Sequence, residues 1–231
     1  MCFMNAKIET AGSPANKNTD LDKITTSPKS GAEKFREGGK ELYTLKEFWI
    51  WSVSDLVSNA TRGRLAEFIV AKALNISTDV ARDEWEPFDL KTTDEVKIEV
   101  KSAAYIQTWK QKRLSSIIFS TKPSRFWNAD TGELEKAKKR HADVYVFALL
   151  AHDIKRTIDP LDLDQWKFYV ASTNKLNGYT RSPGSITLKS LDKLSGGPVN
   201  YCELQSKVKL ATIAPREENL AELHPSDGNH H

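Results

Sequence analysis

The chain has 231 residues, of which 39% are hydrophobic and 9% aromatic, so it is long enough to form one full-sized core. There are 34 lysines and arginines against 31 aspartates and glutamates, a net charge of +3 that neither indicates nor excludes a nucleic-acid partner. Cys2 and Cys202 lie at opposite ends of the chain and have no metal-type spacing, so neither a disulfide framework nor a zinc site is indicated. No apolar run approaches the roughly 18 residues of a membrane span.

The N-terminus lacks the charged-then-apolar order of a signal peptide, so we expect a cytoplasmic protein that does not contact a membrane. Residues 1–40 contain few large apolar side chains and predict a flexible tail. Residues 41–215 are expected to form a single domain, and residues 216–231 a second flexible tail.

The first predicted helix begins at a capping box made by Thr44 and Glu47 and runs through "LKEFWIWSVSDLVSN". Its side chains predicted to face the core are Phe48, Trp51 and Leu56.

A second helix is predicted over residues 64–74, with apolar residues around most of its circumference. Glu67 shares a stripe of this helix with Val70, Ala71 and Leu74, where a carboxylate needs a partner. A structural salt bridge, a rim position and an active-site role are all open at this point.

Strands and helices then alternate. Extended segments are predicted at residues 84–91, 95–109, 117–119, 142–150 and 164–173, with an edge segment at 186–191. The segment 142–150 is apolar on both faces, as a covered central strand would be. A charged helix is predicted at 131–140, and a last helix from a capping box of Asn200 and Glu203 to about residue 210. This order predicts an α/β fold with a mixed β-sheet flanked by helices on both faces.

The register of the first two long strands follows from burial. Phe88 and Leu90 are expected to share a core face with the apolar residues of the next strand, which places Leu90 opposite Ile98. Asp89 and Glu99 would then face each other directly across the two strands.

Two facing carboxylates repel each other by about 4 kcal/mol at ~4 Å in an effective dielectric near 20. A raised pKa, the nearby Lys101, or a bridging divalent cation would relieve this repulsion, and oxygen ligands of this kind favour Mg²⁺. The same acid-x-lysine pattern recurs at Glu95 and Lys97, nearer the turn, which is the second choice. A solvated charged face of an antiparallel sheet is the alternative interpretation.

The segment from residue 102 to residue 129 contains no aspartate or glutamate. Its positive charges, interleaved with aromatic residues, are Lys110, Lys112, Arg113, Lys122 and Arg125. A basic stretch that leads out of an acidic cluster is typical of a nucleic-acid path, although an exposed basic loop with core tryptophans is the alternative. Strand parity places Gln107 on the face of Lys101, within reach of a phosphate or a water molecule.

These residues resemble the PD-(D/E)xK nuclease superfamily, which has a restriction-endonuclease-like fold. Asp89 in "PFDL" corresponds to the first acid of its motif, Glu99 and Lys101 in "IEVK" to the acid-x-lysine triplet, and Glu67 in "GRLAEFIV" to the helical glutamate. The match covers roughly residues 44–170 and departs from the motif where Phe88 separates the proline from the acid.

The resemblance implies a DNA endonuclease, of which restriction and defence enzymes are one class, that uses one or two Mg²⁺ ions, with Mn²⁺ able to substitute. The metal ligands that it implies are Asp89, Glu99, the carbonyl of Val100, and Glu67. Lys101 would orient the attacking water or stabilise the phosphate, and a homodimer is the simplest way to cut two strands. A catalytically silent nucleic-acid-binding module of the same fold, and an enzyme that acts on another phosphate ester, are the alternative readings.

Overall fold

A four-stranded mixed sheet forms the centre of the fold in a computed structural model that describes residues 24–182 and 184–221. The strands are β1 (Lys34–Glu37), β2 (Lys40–Thr44), β3 (Leu90–Lys91), β4 (Lys97–Ala104), β5 (Ile118–Ser120), β6 (Val144–Leu150), β7 (Trp166–Ser172) and β8 (Ser185–Thr187). The α-helices are α1 (Leu45–Val53), α2 (Asn59–Ala73), α3 (Thr173–Gly178), α4 (Leu188–Ser195) and α5 (Leu204–Ala221).

The central sheet has the strand order β3-β4-β6-β7. Strands β4 and β6 are parallel, whereas β3 pairs with β4 and β6 pairs with β7 in antiparallel fashion. Every residue of β6 is buried, which confirms the prediction of a central strand covered on both faces. The parallel register places Glu99 of β4 beside Tyr145 of β6.

Helices cover both faces of this sheet, as the sequence predicts. On one face α2 and α5 pack against the sheet, with Val70 and Leu204 fully buried among its apolar side chains. On the other face α3, α4 and the antiparallel pair β5–β8 form a second core. Phe119 of β5 packs edge-on against Phe147 of β6 in this second core, with ring centroids 5.1 Å apart. Strand β4 packs against the first core through Ile98, Val100 and Ala104 and against the second core through Ala103.

The capping box that begins α1 is confirmed: the Glu47 N–H donates to the Thr44 hydroxyl at 3.2 Å, and the Thr44 N–H donates to the Glu47 carboxylate at 2.6 Å. The prediction that Phe48 and Trp51 face inward is wrong, because both are exposed, Trp51 by 83%, whereas Leu56 is half-buried. The reason is that α1 packs mainly against β2 of the β1–β2 hairpin.

Strand β1 lies within residues 1–40, which the sequence predicts as a tail, so the ordered structure begins before residue 41. A two-glycine turn with positive φ at Gly38 and Gly39 closes the hairpin. The rings of Phe35 and Tyr43 contact each other across its strands in a tilted arrangement, with centroids 4.6 Å apart. Residues 1–23 lie outside the described residues. At the other end, α5 continues to Ala221, beyond the predicted end at about residue 210, and residues 222–231 of the predicted tail also lie outside the described range.

Two other predicted elements differ from the structure. The charged helix predicted at 131–140 is absent, because a turn at Gly132, with φ +71°, leads the chain back along Ser124–Asn128 in an irregular hairpin. The predicted edge segment 186–191 extends only to Thr187, whose hydroxyl accepts from the Ser190 N–H and so begins α4. The capping box of Asn200 and Glu203 is confirmed, and it begins a short 3₁₀ turn that leads into α5. Among the described residues, no helix has both the length and the apolar character that crossing a membrane requires.

Candidate active site

The predicted pairing of Leu90 with Ile98 is confirmed, but the ladder ends there. The N–H of Asp89 donates to the carbonyl of Ile98 at 3.0 Å, so the chain departs from regular pairing at Asp89. Phe88 therefore packs against one core and Leu90 against the other, and the prediction that they share a face is wrong. The irregularity turns the Asp89 side chain toward the edge of β4.

Asp89 is anchored by the backbone of β4. Its Oδ2 accepts a hydrogen bond from the Val100 N–H at 2.7 Å, and its side chain is only 17% exposed. Because β3 has only two residues, it offers no backbone carbonyl to this N–H, and the carboxylate takes the position of the missing strand partner. The location of Asp89 is therefore built into the sheet.

Glu99 and Lys101 form an ion pair on one face of β4. The Glu99 side chain is 19% exposed and that of Lys101 33% exposed. Burial raises the pKa of Glu99 above its usual range, and the negative charge of Asp89 raises it further, against the opposing effect of Lys101. Burial, together with the charge of Glu99, also raises the pKa of the neighbouring Tyr145 to about 12.

Glu67 reaches the same region from α2. Its side chain is 14% exposed, and burial, followed by the charge of Asp89, raises its pKa, although its ion pair with Arg82 acts in the opposite direction. Glu67 in turn contributes to the raised pKa of Glu99. The structure thus brings together four predicted site residues from three elements, which are listed here: Glu67, Asp89, Glu99 and Lys101.

Arg82 was not predicted and lies between two of these carboxylates. Its guanidinium forms an ion pair with Glu67 through Nε, and its second terminal nitrogen lies 3.4 Å from Oδ1 of Asp89. The sequence contains a signal for it, since Arg82 is the only basic residue in the strongly acidic segment 79–89. A cation in that setting has several carboxylates within reach.

A cleft of about 400 Å³ opens beside the carboxylates, with Asp89 and Glu99 in its lining. The rings of Trp85 and Trp127 meet at its rim with centroids 5.2 Å apart, and Arg125 also lines it. Both tryptophans are exposed, by 57% and 42%, and sequence reasoning did not place Trp85 at the site. The cleft therefore presents carboxylates, aromatic rings and a cation, which suits a ligand that has both charged and aromatic groups.

The other predicted cations are distributed over the surface that follows β4. All five side chains are exposed, and none forms an ion pair with another residue in the described part of the chain: Lys110, Lys112, Arg113, Lys122 and Arg125. Three of them surround a shallow depression formed by the loop 109–116. They are free to bind phosphate groups.

The structure does not bring Gln107 to the carboxylates. Strand β4 ends at Ala104, so strand parity does not extend to Gln107, which is 7% exposed. Its side-chain amide donates to the Ala104 carbonyl at 3.0 Å and to the Ser115 hydroxyl at 3.3 Å. Gln107 thus supports the loop, and its contact with a phosphate or a water molecule stays a prediction. The second-choice acid, Glu95, lies in a turn with φ +61° and pairs with Lys91 at 2.8 Å.

The donor chemistry of the site suits a hard divalent cation, because the carboxylate oxygens of Asp89, Glu99 and Glu67 lie in one region. The carboxylates are nevertheless held by Arg82 and Lys101. Within residues 24–182 and 184–221, no group of three or more histidines, cysteines, aspartates or glutamates is arranged as it would be around a metal ion. A bound cation would therefore require at least one ion pair to rearrange.

A protein-family model described as bacteriophage T4 endonuclease IV matches residues 22–188, which is more than half of the 231 residues. The matched range includes every residue of the site described above. None of the curated proteins compared with the chain matches it.

Proposed function

Since the chain belongs to the bacteriophage T4 endonuclease IV family, we propose that it is a Mg²⁺-dependent endonuclease that hydrolyses DNA phosphodiester bonds. The observation that carries the proposal is that Asp89 and Glu99 line one cleft, while Lys101 forms an ion pair with Glu99 on the same face of β4. We further propose a PD-(D/E)xK arrangement, in which an acid at the end of a short strand meets an acid-x-lysine triplet on the next. A restriction or defence role belongs to the same proposal.

Asp89, Glu99, the carbonyl of Val100 and Glu67 would hold Mg²⁺, and Mn²⁺ would substitute. When bound, the ion would lower the pKa of a water molecule and neutralise negative charge on the phosphate. Asp89 is held in place for this role by the Val100 N–H.

Lys101 would orient the attacking water or stabilise charge on the scissile phosphate, because its ammonium group lies on the same face as Glu99. The exposed cations, of which Arg125 lines the cleft, would contact flanking phosphates and position the DNA. A homodimer would supply a second site for the opposite strand.

Plasmid nicking tests the proposal. We expect the wild-type protein to nick with Mg²⁺ or Mn²⁺ and not with EDTA, and we expect Asp89→Asn and Lys101→Met to reduce cleavage by at least about a hundredfold. Glu95→Gln is a matched control, because it alters the same acid-x-lysine pattern at an exposed turn, and it should retain activity. Equal activity in all proteins, with or without metal, would contradict the proposal.

The ion pairs of Arg82 favour one alternative, a DNA-binding module of the same fold that does not cleave. It predicts DNA binding that survives Glu99→Ala and no cleavage with any divalent metal. Competition for the site by a small nucleotide but not by DNA would instead indicate an enzyme that acts on another phosphate ester.

A further inference from the structure

Arg82 occupies the space between two of the carboxylates that would hold a metal ion. It forms an ion pair with Glu67, lies 3.4 Å from Asp89 and lies 3.6 Å from Glu84 on its outer side. The planar fork of a guanidinium can contact several carboxylates at once, which an ammonium group cannot do. Arg82 is therefore the main counter-ion of Glu67 and Asp89.

The burial of the three side chains differs in a way that suggests which of them moves. Glu67 and Asp89 are 14% and 17% exposed. Glu67 belongs to α2, and Asp89, which directly precedes β3, is anchored by the Val100 N–H. Arg82 is 38% exposed and comes from the irregular segment between these elements. Arg82 is thus the most exposed of the three side chains, and it already lies near the exposed carboxylate of Glu84.

A divalent cation and a guanidinium that contact the same pair of carboxylates repel each other, because their positive charges lie close together. We propose that Arg82 holds the place of the divalent cation in the metal-free protein and leaves Asp89 and Glu67 when the cation binds. This inference rests on the proposed function. It makes Arg82 a positioning residue that sets the affinity for metal.

The test is a titration of the DNA-free protein with Mn²⁺. The electron paramagnetic resonance signal of the free ion measures how much Mn²⁺ is bound. If Arg82 competes with the metal, Arg82→Gln should bind Mn²⁺ about tenfold more tightly than the wild type, since the cation no longer displaces a charge. Asp89→Asn added to Arg82→Gln should remove the binding. Arg82→Lys keeps the charge but contacts fewer carboxylates, so its affinity should fall between the two.

Arg64→Gln is the matched control, because Arg64 is an exposed neighbour that pairs with Glu84 at 3.1 Å. In the described part of the chain it forms no ion pair with Glu67 or Asp89, and it acts on Glu67 only through its more distant charge. It should change the affinity much less than Arg82→Gln does. A second measurement is the rise in melting temperature caused by Mn²⁺, which should be larger for Arg82→Gln than for the wild type.

The outcomes separate this inference from the proposed function. If the wild type and Arg82→Gln bind Mn²⁺ equally, and Asp89→Asn abolishes the binding, the role of Arg82 is wrong and the metal site stands. If Arg64→Gln and Arg82→Gln change the affinity for Mn²⁺ equally, the proposed role of Arg82 is also wrong. If no protein binds Mn²⁺ and the wild type does not nick DNA, the proposed function fails and this inference fails with it.

Discussion

Asp89 has a structural contact and a proposed catalytic role, and two substitutions separate them. Asp89→Asn keeps an oxygen that can accept from the Val100 N–H, whereas Asp89→Ala leaves that N–H without a partner at a residue that is 6% exposed. We expect Asp89→Ala to be less stable than Asp89→Asn by about 1–3 kcal/mol, measured by urea denaturation, while both lose cleavage. Equal stability of the two variants would contradict the anchoring role.

Glu99 gives a prediction for the pH dependence of stability. Its pKa in the folded protein lies above its ordinary value of 4.5, because of burial and then the charge of Asp89. Protonated Glu99 therefore contributes to the free energy of unfolding below pH 4.5, and this contribution is lost as the pH rises through the pKa of Glu99 in the folded protein. At pH 8 Glu99 is ionised, so it destabilises the metal-free protein.

Glu99→Gln should therefore raise the melting temperature in EDTA at pH 8 by a few degrees, since 1 kcal/mol corresponds to about 2–4 °C in a chain of this size. The gain should shrink toward pH 4.5. Glu95→Gln, at a side chain that is 74% exposed, should give no such gain. A gain that is the same at both pH values would contradict the assignment.

At the scale of elements, β6 is a strand of the central sheet in which every residue is buried. Phe147 is fully buried and contacts Phe119 of the second core, so Phe147→Ala should lower the free energy of unfolding by about 3–5 kcal/mol. Ile118, which is 57% exposed on β5, provides the control, and Ile118→Ala should cost much less. Denaturant midpoints of the two variants would check this difference. If both variants lose a similar free energy of unfolding, the packing of Phe147 in the second core does not make the expected contribution.

Strands β6 and β7 and the two capping boxes could be predicted because their signals are local. An apolar run buried on both faces and a Thr44–Glu47 pair each specify their structure with little help from the rest of the chain. The hairpin at residues 131–140 could not be predicted in this way. Its charged residues fit a helix, whereas the turn at Gly132 and the packing of Trp127 favour a hairpin. The exposure of α1 depends on what lies opposite it, which no local pattern encodes.

At the scale of the whole molecule, the site was predictable where the sheet determines it. The pairing of Leu90 with Ile98 brings Asp89 near Glu99, and that pairing follows from burial. Arg82 was missed because it comes from an irregular segment, whose course is set by tertiary contacts rather than by periodicity. For a related reason strand parity does not fix the position of Gln107, since β4 ends at Ala104.

The distribution of charge over the molecule gives the last prediction, which concerns DNA binding. Lys110 and Lys112 lie on the exposed loop that follows β4, and if each contacts a phosphate, replacing both by alanine should reduce the log–log salt slope of duplex binding by about two. Lys207→Ala with Lys209→Ala is the matched control, because these lysines have the same spacing on α5, and it should leave the slope unchanged. Fluorescence anisotropy with a labelled duplex in EDTA, across a series of salt concentrations, measures the slope without cleavage. If the two double variants change the salt slope equally, binding depends only on the overall charge, and the basic surface after β4 is not the DNA-binding surface.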